Sequence, residues 1–121
     1  MNEKEVMTMI EHFEAKLNEY AHLLVEIGMN VQPGQTPRIA GSIDCAPLMR
    51  LCAQVALDLG ARDVFVDWTD DFVTRQRYLK ADAQVFSEFP SYLQEKFDYM
   101  TAHSCPVLSI HSSDPQLLQG V

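Results

Sequence analysis

Asp63-Val64-Phe65-Val66-Asp67-Trp68 is the clearest strand in this 121-residue chain. Its β-branched and aromatic side chains suit a pleated, half-buried surface. Gly60 precedes it, and an acidic cluster, Asp67, Asp70 and Asp71, closes it. The segments on either side decide how such a strand is used. Upstream, Leu48, Leu51, Cys52, Val55, Ala56 and Leu59 recur at helical spacing, with Ser42 or Asp44 available as the cap, Pro47 in the first turn and Gly60 as the stop. Before that helix, Thr36-Pro37-Arg38-Ile39-Ala40-Gly41 reads as a short strand, with Pro37 best placed at a strand start or an edge. Downstream, residues 70–86 carry one or two short helices. Pro90 opens another helix over about 91–103, with Leu93, Phe97 and Met100 along one side, and Pro106-Val107-Leu108-Ser109-Ile110-His111 forms a third short strand. Ser113-Asp114-Pro115 reads as a turn or a helix start.

At the front of the chain, Val6, Met9, Ile10, Phe13, Leu17, Tyr20, Ala21, Leu24 and Ile27 make an apolar stripe over about residues 5–27. Glu11, Glu14, Lys16, Glu19 and Glu26 fill the other side, and Gly28 supplies the stop. A long helix followed by alternating strands and helices predicts an α/β fold, and crossovers of this length imply parallel strands with helices on the sheet faces. The expected architecture is a small parallel-sheet, Rossmann-like, three-layer domain preceded by a long N-terminal helix. Three strands make a small sheet, so one edge is expected to be covered or paired in a larger assembly.

The length predicts one domain over residues 1–121, since a domain takes roughly 100–200 residues. With 9 Lys+Arg against 17 Asp+Glu, the net charge is −8. That balance argues against nucleic acid or an anionic membrane as a partner, because phosphate-binding surfaces need clustered cations. The opening Met1-Asn2-Glu3-Lys4-Glu5 is charged, and no apolar run approaches the roughly 20 residues of a membrane span. Three cysteines, Cys45, Cys52 and Cys105, make no disulfide framework and fit a reducing compartment, so a cytoplasmic location is expected.

Catalytic signatures are sparse. Asp67, Asp70 and Asp71 lie at the carboxyl end of the best strand, where ligands gather in open α/β sheets and grouped carboxylates can hold hard cations. The plainer expectation is that Asp70 caps a helix, Asp71 favours its positive end and Asp67 is solvated. Arg75, Arg77 and Lys80 form a small basic patch just beyond, suited to pairing with Asp71 across a helical turn, to contacting a neighbouring chain or to facing solvent. His12, His22, His103 and His111 form no ligand pattern; His111, at a strand end, is the best placed of them to face a ligand, although a surface or capping role is the plainer expectation for it. Cys45 and Cys52, seven apart on one helical face, suit packing better than zinc. There is no G-x-G-x-x-G, Walker loop, H-E-x-x-H or G-x-S-x-G.

An ordered set of stretches carries a family likeness. Phe13-Glu14-Ala15-Lys16-Leu17-Asn18-Glu19-Tyr20-Ala21-His22-Leu23-Leu24-Val25-Glu26-Ile27-Gly28-Met29-Asn30-Val31-Gln32-Pro33-Gly34-Gln35 is followed by Ala46-Pro47-Leu48-Met49-Arg50-Leu51 and Leu59-Gly60-Ala61-Arg62-Asp63-Val64. Asp67-Trp68-Thr69-Asp70-Asp71, Arg75, Arg77 and Ser113-Asp114-Pro115 continue it. The specific part is the tyrosine-alanine pair leading into Gly-x-Asn-x-Gln-x-Gly-Gln. Together these resemble the N-terminal domain of the thermophilic metallo-aminopeptidase family (aminopeptidase T, aminopeptidase S and PepS). The resemblance covers nearly all of this chain but only the opening portion of the family.

What the resemblance implies is a cytosolic exopeptidase that removes N-terminal residues from peptides, with two divalent ions, zinc or cobalt, activating a water. It also implies a homodimer whose cavities restrict access to short peptides. The family's metal ligands lie in the later part of its members, so no catalytic, cofactor-binding or metal-binding residue is assigned here. The expected role is non-catalytic: to support a C-terminal catalytic domain, shape the substrate cavity or build the dimer. Asp67, Asp70, Asp71, Arg75 and Arg77 are the candidates for an interdomain or cavity surface. The alternative is a free-standing α/β binding or interaction module without enzymatic activity. A receiver-like regulatory domain is a weaker version of that alternative, because no lysine follows the late strand at Ile110-His111-Ser112-Ser113.

Overall fold

The computed structural model describes residues 2–111, and the expected turn at Ser113-Asp114-Pro115 lies outside them. The chain begins with α1 (Glu3–His22), started by a capping box in which Asn2 accepts from the Glu5 amide and the Glu5 carboxylate accepts from the Asn2 amide. The helix does not run on as an α-helix to residue 27. It widens into a π-helical turn, Leu23–Gly28. Gly28 is therefore not the left-handed stop: the reversal falls on Asn30 (φ 51°), whose short polar side chain tolerates that conformation.

β1 (Arg38–Ser42) follows, one or two residues later than its expected place. Pro37 is buried just before it, and its carbonyl accepts from the Phe65 amide at 2.9 Å. Having no N–H to offer, proline serves the ladder here as an acceptor only. Ser42, not Asp44, caps what comes next: its Oγ accepts from the Asp44 amide at 3.2 Å and opens a short 3-10 turn, Ile43–Cys45. That turn leads into α2 (Ala46–Asp58), with Pro47 in its first turn as expected. Cys45 consequently sits ahead of α2 rather than on one helical face with Cys52. Gly60 (φ 95°) reverses the chain after α2.

The strand expected at residues 63–68 forms as β2 (Phe65–Thr69). Next come α3 (Asp71–Lys80), a 3-10 turn (Ala83–Phe86), α4 (Ser91–Ala102) and β3 (Val107–Ile110). All three strands are parallel in the order β2-β1-β3, with Ile39 level with Val66 on one side and Leu108 on the other. Side chains alternate across a sheet, so this register puts Ile39, Val66 and Leu108 on one face and Arg38, Phe65 and Asp67 on the other.

The first face carries the core. Ala21 and Val25 from the front helix, Ile39, and Met49, Cys52, Val55 and Ala56 of α2 are buried together there. Met49 was absent from the expected α2 stripe, whereas Leu48, Leu51 and Leu59 reach only partial burial around that cluster. On the second face, α4 packs by way of Phe65 against Tyr99 (ring centroids 6.1 Å apart) and the Arg38 guanidinium over Phe97 (5.6 Å). Helices on both faces make the three layers that the alternation of elements predicted.

Candidate functional site

The chain leaves central β1 for β2 on one side, then returns past β1 to reach β3 on the other. Such a reversal opens a crevice at the carboxyl ends of the diverging strands, the usual ligand position in open α/β sheets. A small cavity of about 130 Å³ lies there, bordered by Ala40, Gly41 and Ser42 of β1, Thr69, Asp71, and Ser109, Ile110 and His111 at the end of β3. Gly41 is required by closeness: a Cβ there would stand 2.7 Å from the Ile110 carbonyl oxygen and 2.9 Å from the Met49 Sδ. Three hydroxyls, one carboxylate and one imidazole around this space can hydrogen-bond a small polar group. His111 follows β3 and borders this cavity. Ser42, Thr69 and Ser109 carried no signal beyond their places at strand ends.

The five residues marked from the sequence do not form one site. Asp67 is paired, and only partly solvated. It projects from the opposite sheet face into a half-buried ion triad, with Arg38 Nε at 2.5 Å from Oδ2 and Lys96 Nζ at 2.5 Å from Oδ1. Partial burial pushes its carboxyl up, but the hydrogen bonds and charges of Lys96 and Arg38 together outweigh that and hold it below the ordinary carboxylate value. The triad joins β1, β2 and α4. Its cations lie 29 residues before and 29 residues after Asp67, so no local pattern marks them.

Asp70 is the N-cap of α3, accepting from the Phe72 amide at 2.9 Å. Asp71 is in the first turn of α3 and borders the crevice. Arg75 and Arg77 follow on the same helix, and the Arg77 guanidinium lies 5.4 Å over the Phe86 ring, which itself stacks on Tyr78 at 4.9 Å. The acidic cluster is thereby divided among a clamp, a cap and a crevice wall.

This donor set does not fit a divalent metal. Asp67 is neutralised by two cations and Asp70 is committed to a backbone amide. Among the described residues no three His, Cys, Asp or Glu side chains converge. The remaining histidines are dispersed: His22 pairs with Glu26 at 3.0 Å, and His103 stacks on Tyr99. Cys52 is buried in the core, which pushes its thiol up to about 11 and leaves almost no thiolate at neutral pH.

A parallel sheet with helices on both faces and a crevice at the strand carboxyl ends defines a Rossmann-like α/β unit. Residues 13–121 match the thermophilic metalloprotease (M29) family, and the chain belongs to that family. It is 36% identical over 113 residues to aminopeptidase PepS of Streptococcus thermophilus and 36% identical over 112 residues to aminopeptidase AmpS of Bacillus subtilis, covering 93% of this chain and 27% of each relative. The solved structure of AmpT from Thermus thermophilus superposes with a TM-score of 0.77 at 28% identity, over 90% of this chain and 28% of that one. The chain therefore spans just over a quarter of the length of these relatives, an N-terminal portion of them. No helix among the described residues is long and apolar enough to cross a membrane.

Proposed function

We propose that residues 1–121 are the front, non-catalytic domain of a cytoplasmic two-metal aminopeptidase that removes N-terminal residues from peptides. The coverage asymmetry carries the reading: nearly the whole chain aligns with aminopeptidases, yet it accounts for only 27% of them. The metal-binding chemistry then belongs to the remaining part of the enzyme, and this domain supports it, shapes the substrate cavity or contributes to a homodimer. The polar crevice beside Asp71 and His111 is the wall best suited to face that remainder. Among the candidate residues, Asp71, Arg75 and Arg77 share the helix that rises from this crevice and are the better interdomain candidates. Asp67 and Asp70 act inside the domain.

The expected result is that the 121-residue chain does not hydrolyse amino-acyl p-nitroanilides, with or without added zinc or cobalt. Turnover that rises with metal and protein concentration would overturn the non-catalytic role. A free-standing binding module is the second reading, favoured by the same crevice. It predicts a small polar ligand whose binding is weakened by His111→Ala in this chain alone.

A further inference from the structure

The register of the sheet lays a polar floor under the crevice. Ser42 is level with Thr69 of β2, and His111 follows Ile110, the partner of Gly41, so these three form one row across the strands. Ala40 and Ser109 are level with each other in the row beneath and share that face, because side chains two apart point the same way. α4 covers only the next row down, through Tyr99 against Phe65 and Phe97 against Arg38, and no α4 residue borders the crevice. With nothing longer than a methyl group at Ala40, the middle of the floor stays open. The space of about 130 Å³ matches about four waters at roughly 30 Å³ each, which limits a solute to about five to seven non-hydrogen atoms.

The polar groups differ in kind on the two sides. Asp71 follows β2 and brings a carboxylate, whereas His111 follows β3, so the two flank central β1. Asp71 makes contacts of its own, and a carboxylate has about four acceptor positions, so a further donor can share it. The His111 ring donates from at least one nitrogen in either tautomer, and the Thr69 and Ser109 hydroxyls donate or accept. The outer strands stand roughly 10 Å apart, twice the usual spacing, so a solute bridging these side chains is short. A carboxylate on one side and N–H and O–H donors on the other complement a short molecule with an ammonium at one end and a carboxylate at the other. We propose that the crevice binds a small free α-amino acid of the size of glycine or alanine. Its ammonium donates to Asp71 and Thr69, and its carboxylate accepts from His111 and Ser109. The proposal deepens the binding-module reading and rests on the crevice being a ligand site. On the aminopeptidase reading, such a ligand is what the reaction releases, and the front domain becomes a sensor of product.

Titration of the 121-residue chain with glycine and alanine, followed by amide NMR shifts, tests it. Saturable shifts should centre on Ser42, Thr69, Asp71, Ser109 and His111. The dissociation constant should be roughly 1–10 mM, as suits a ligand this small in an open site. Acetate and methylammonium, each carrying one of the two charges, should bind about tenfold more weakly or worse. Asp71→Asn and His111→Ala should each raise the glycine dissociation constant by about tenfold, with the amide spectrum away from the crevice reporting that the fold is kept. No saturable shift at these residues with glycine, or unchanged binding in both variants, would overturn the proposal. Acetate or methylammonium binding as tightly as glycine would also overturn it, while leaving the crevice a site for a single charge. Silence of the crevice toward all of these solutes would count against the binding-module reading as well. Turnover of amino-acyl p-nitroanilides bears on the aminopeptidase reading alone and is independent of either result.

Discussion

Asp67 shows how far one side chain's surroundings can depart from its neighbours in sequence. Read beside Asp70 and Asp71 it belongs to an acidic cluster, but the strand's alternation turns it toward α4, where Arg38 and Lys96 bracket it. With side chains 19–35% exposed, this triad is only partly shielded from water, so its contribution is modest. Asp67→Asn should cost about 1 kcal/mol at neutral pH and lower the melting temperature by roughly 4–6 °C in a domain of this size. The pH dependence has a definite sign. Because folding lowers the Asp67 pKa, its stabilisation is complete above the unfolded value near pH ~4 and disappears as pH falls through the lower folded value. Urea midpoints of the two chains should therefore differ by a constant amount from about pH 5 to 7 and converge in acid. A difference that grows as the pH falls below the ordinary carboxylate range would assign the effect to something other than this carboxylate.

The helices and strands divide into those whose ends were legible and those whose ends were not. Asp70 and Pro47 mark helix starts by local chemistry, a side-chain oxygen over free amides and a residue without an N–H. Asp70→Ala should accordingly destabilise the chain by about 1 kcal/mol and speed amide exchange in the first turn of α3, with Asp70→Asn or Asp70→Ser recovering most of it. Equal loss in the Asn and Ala variants would contradict the capping role. Strand ends were less legible, because pairing rather than composition decides them. Asp63 and Val64 have a strand's composition or flank, yet β2 starts at Phe65, where the Pro37 carbonyl provides the first partner. The first helix was legible as a helix, but its apolar stripe was not a map of burial. Ala21 is the buried residue of α1, while Phe13 and Ile10 stay in solvent.

For the molecule as a whole, the chain matches just over a quarter of the length of its aminopeptidase relatives, and on the proposed reading the surfaces that would meet a remainder become the question. Charge reversal at Arg75 and Arg77 in the full-length enzyme should change its assembly or peptide selectivity. Unchanged sedimentation and kinetics would remove those residues from any interdomain surface. The α/β class, the parallel sheet and the family were all readable from the sequence alone, because helical and strand periodicities, turn residues and the tyrosine-alanine to Gly-Gln stretch are local patterns. Tertiary structure alone decided which acidic residue pairs with which cation, that Gly41 lets β1 approach β3, and that the crevice gathers Ser42, Thr69, Asp71, Ser109 and His111. The physical reason is the same in each case. Those contacts join residues far apart in the chain, and only strand order and register bring them within reach of one another.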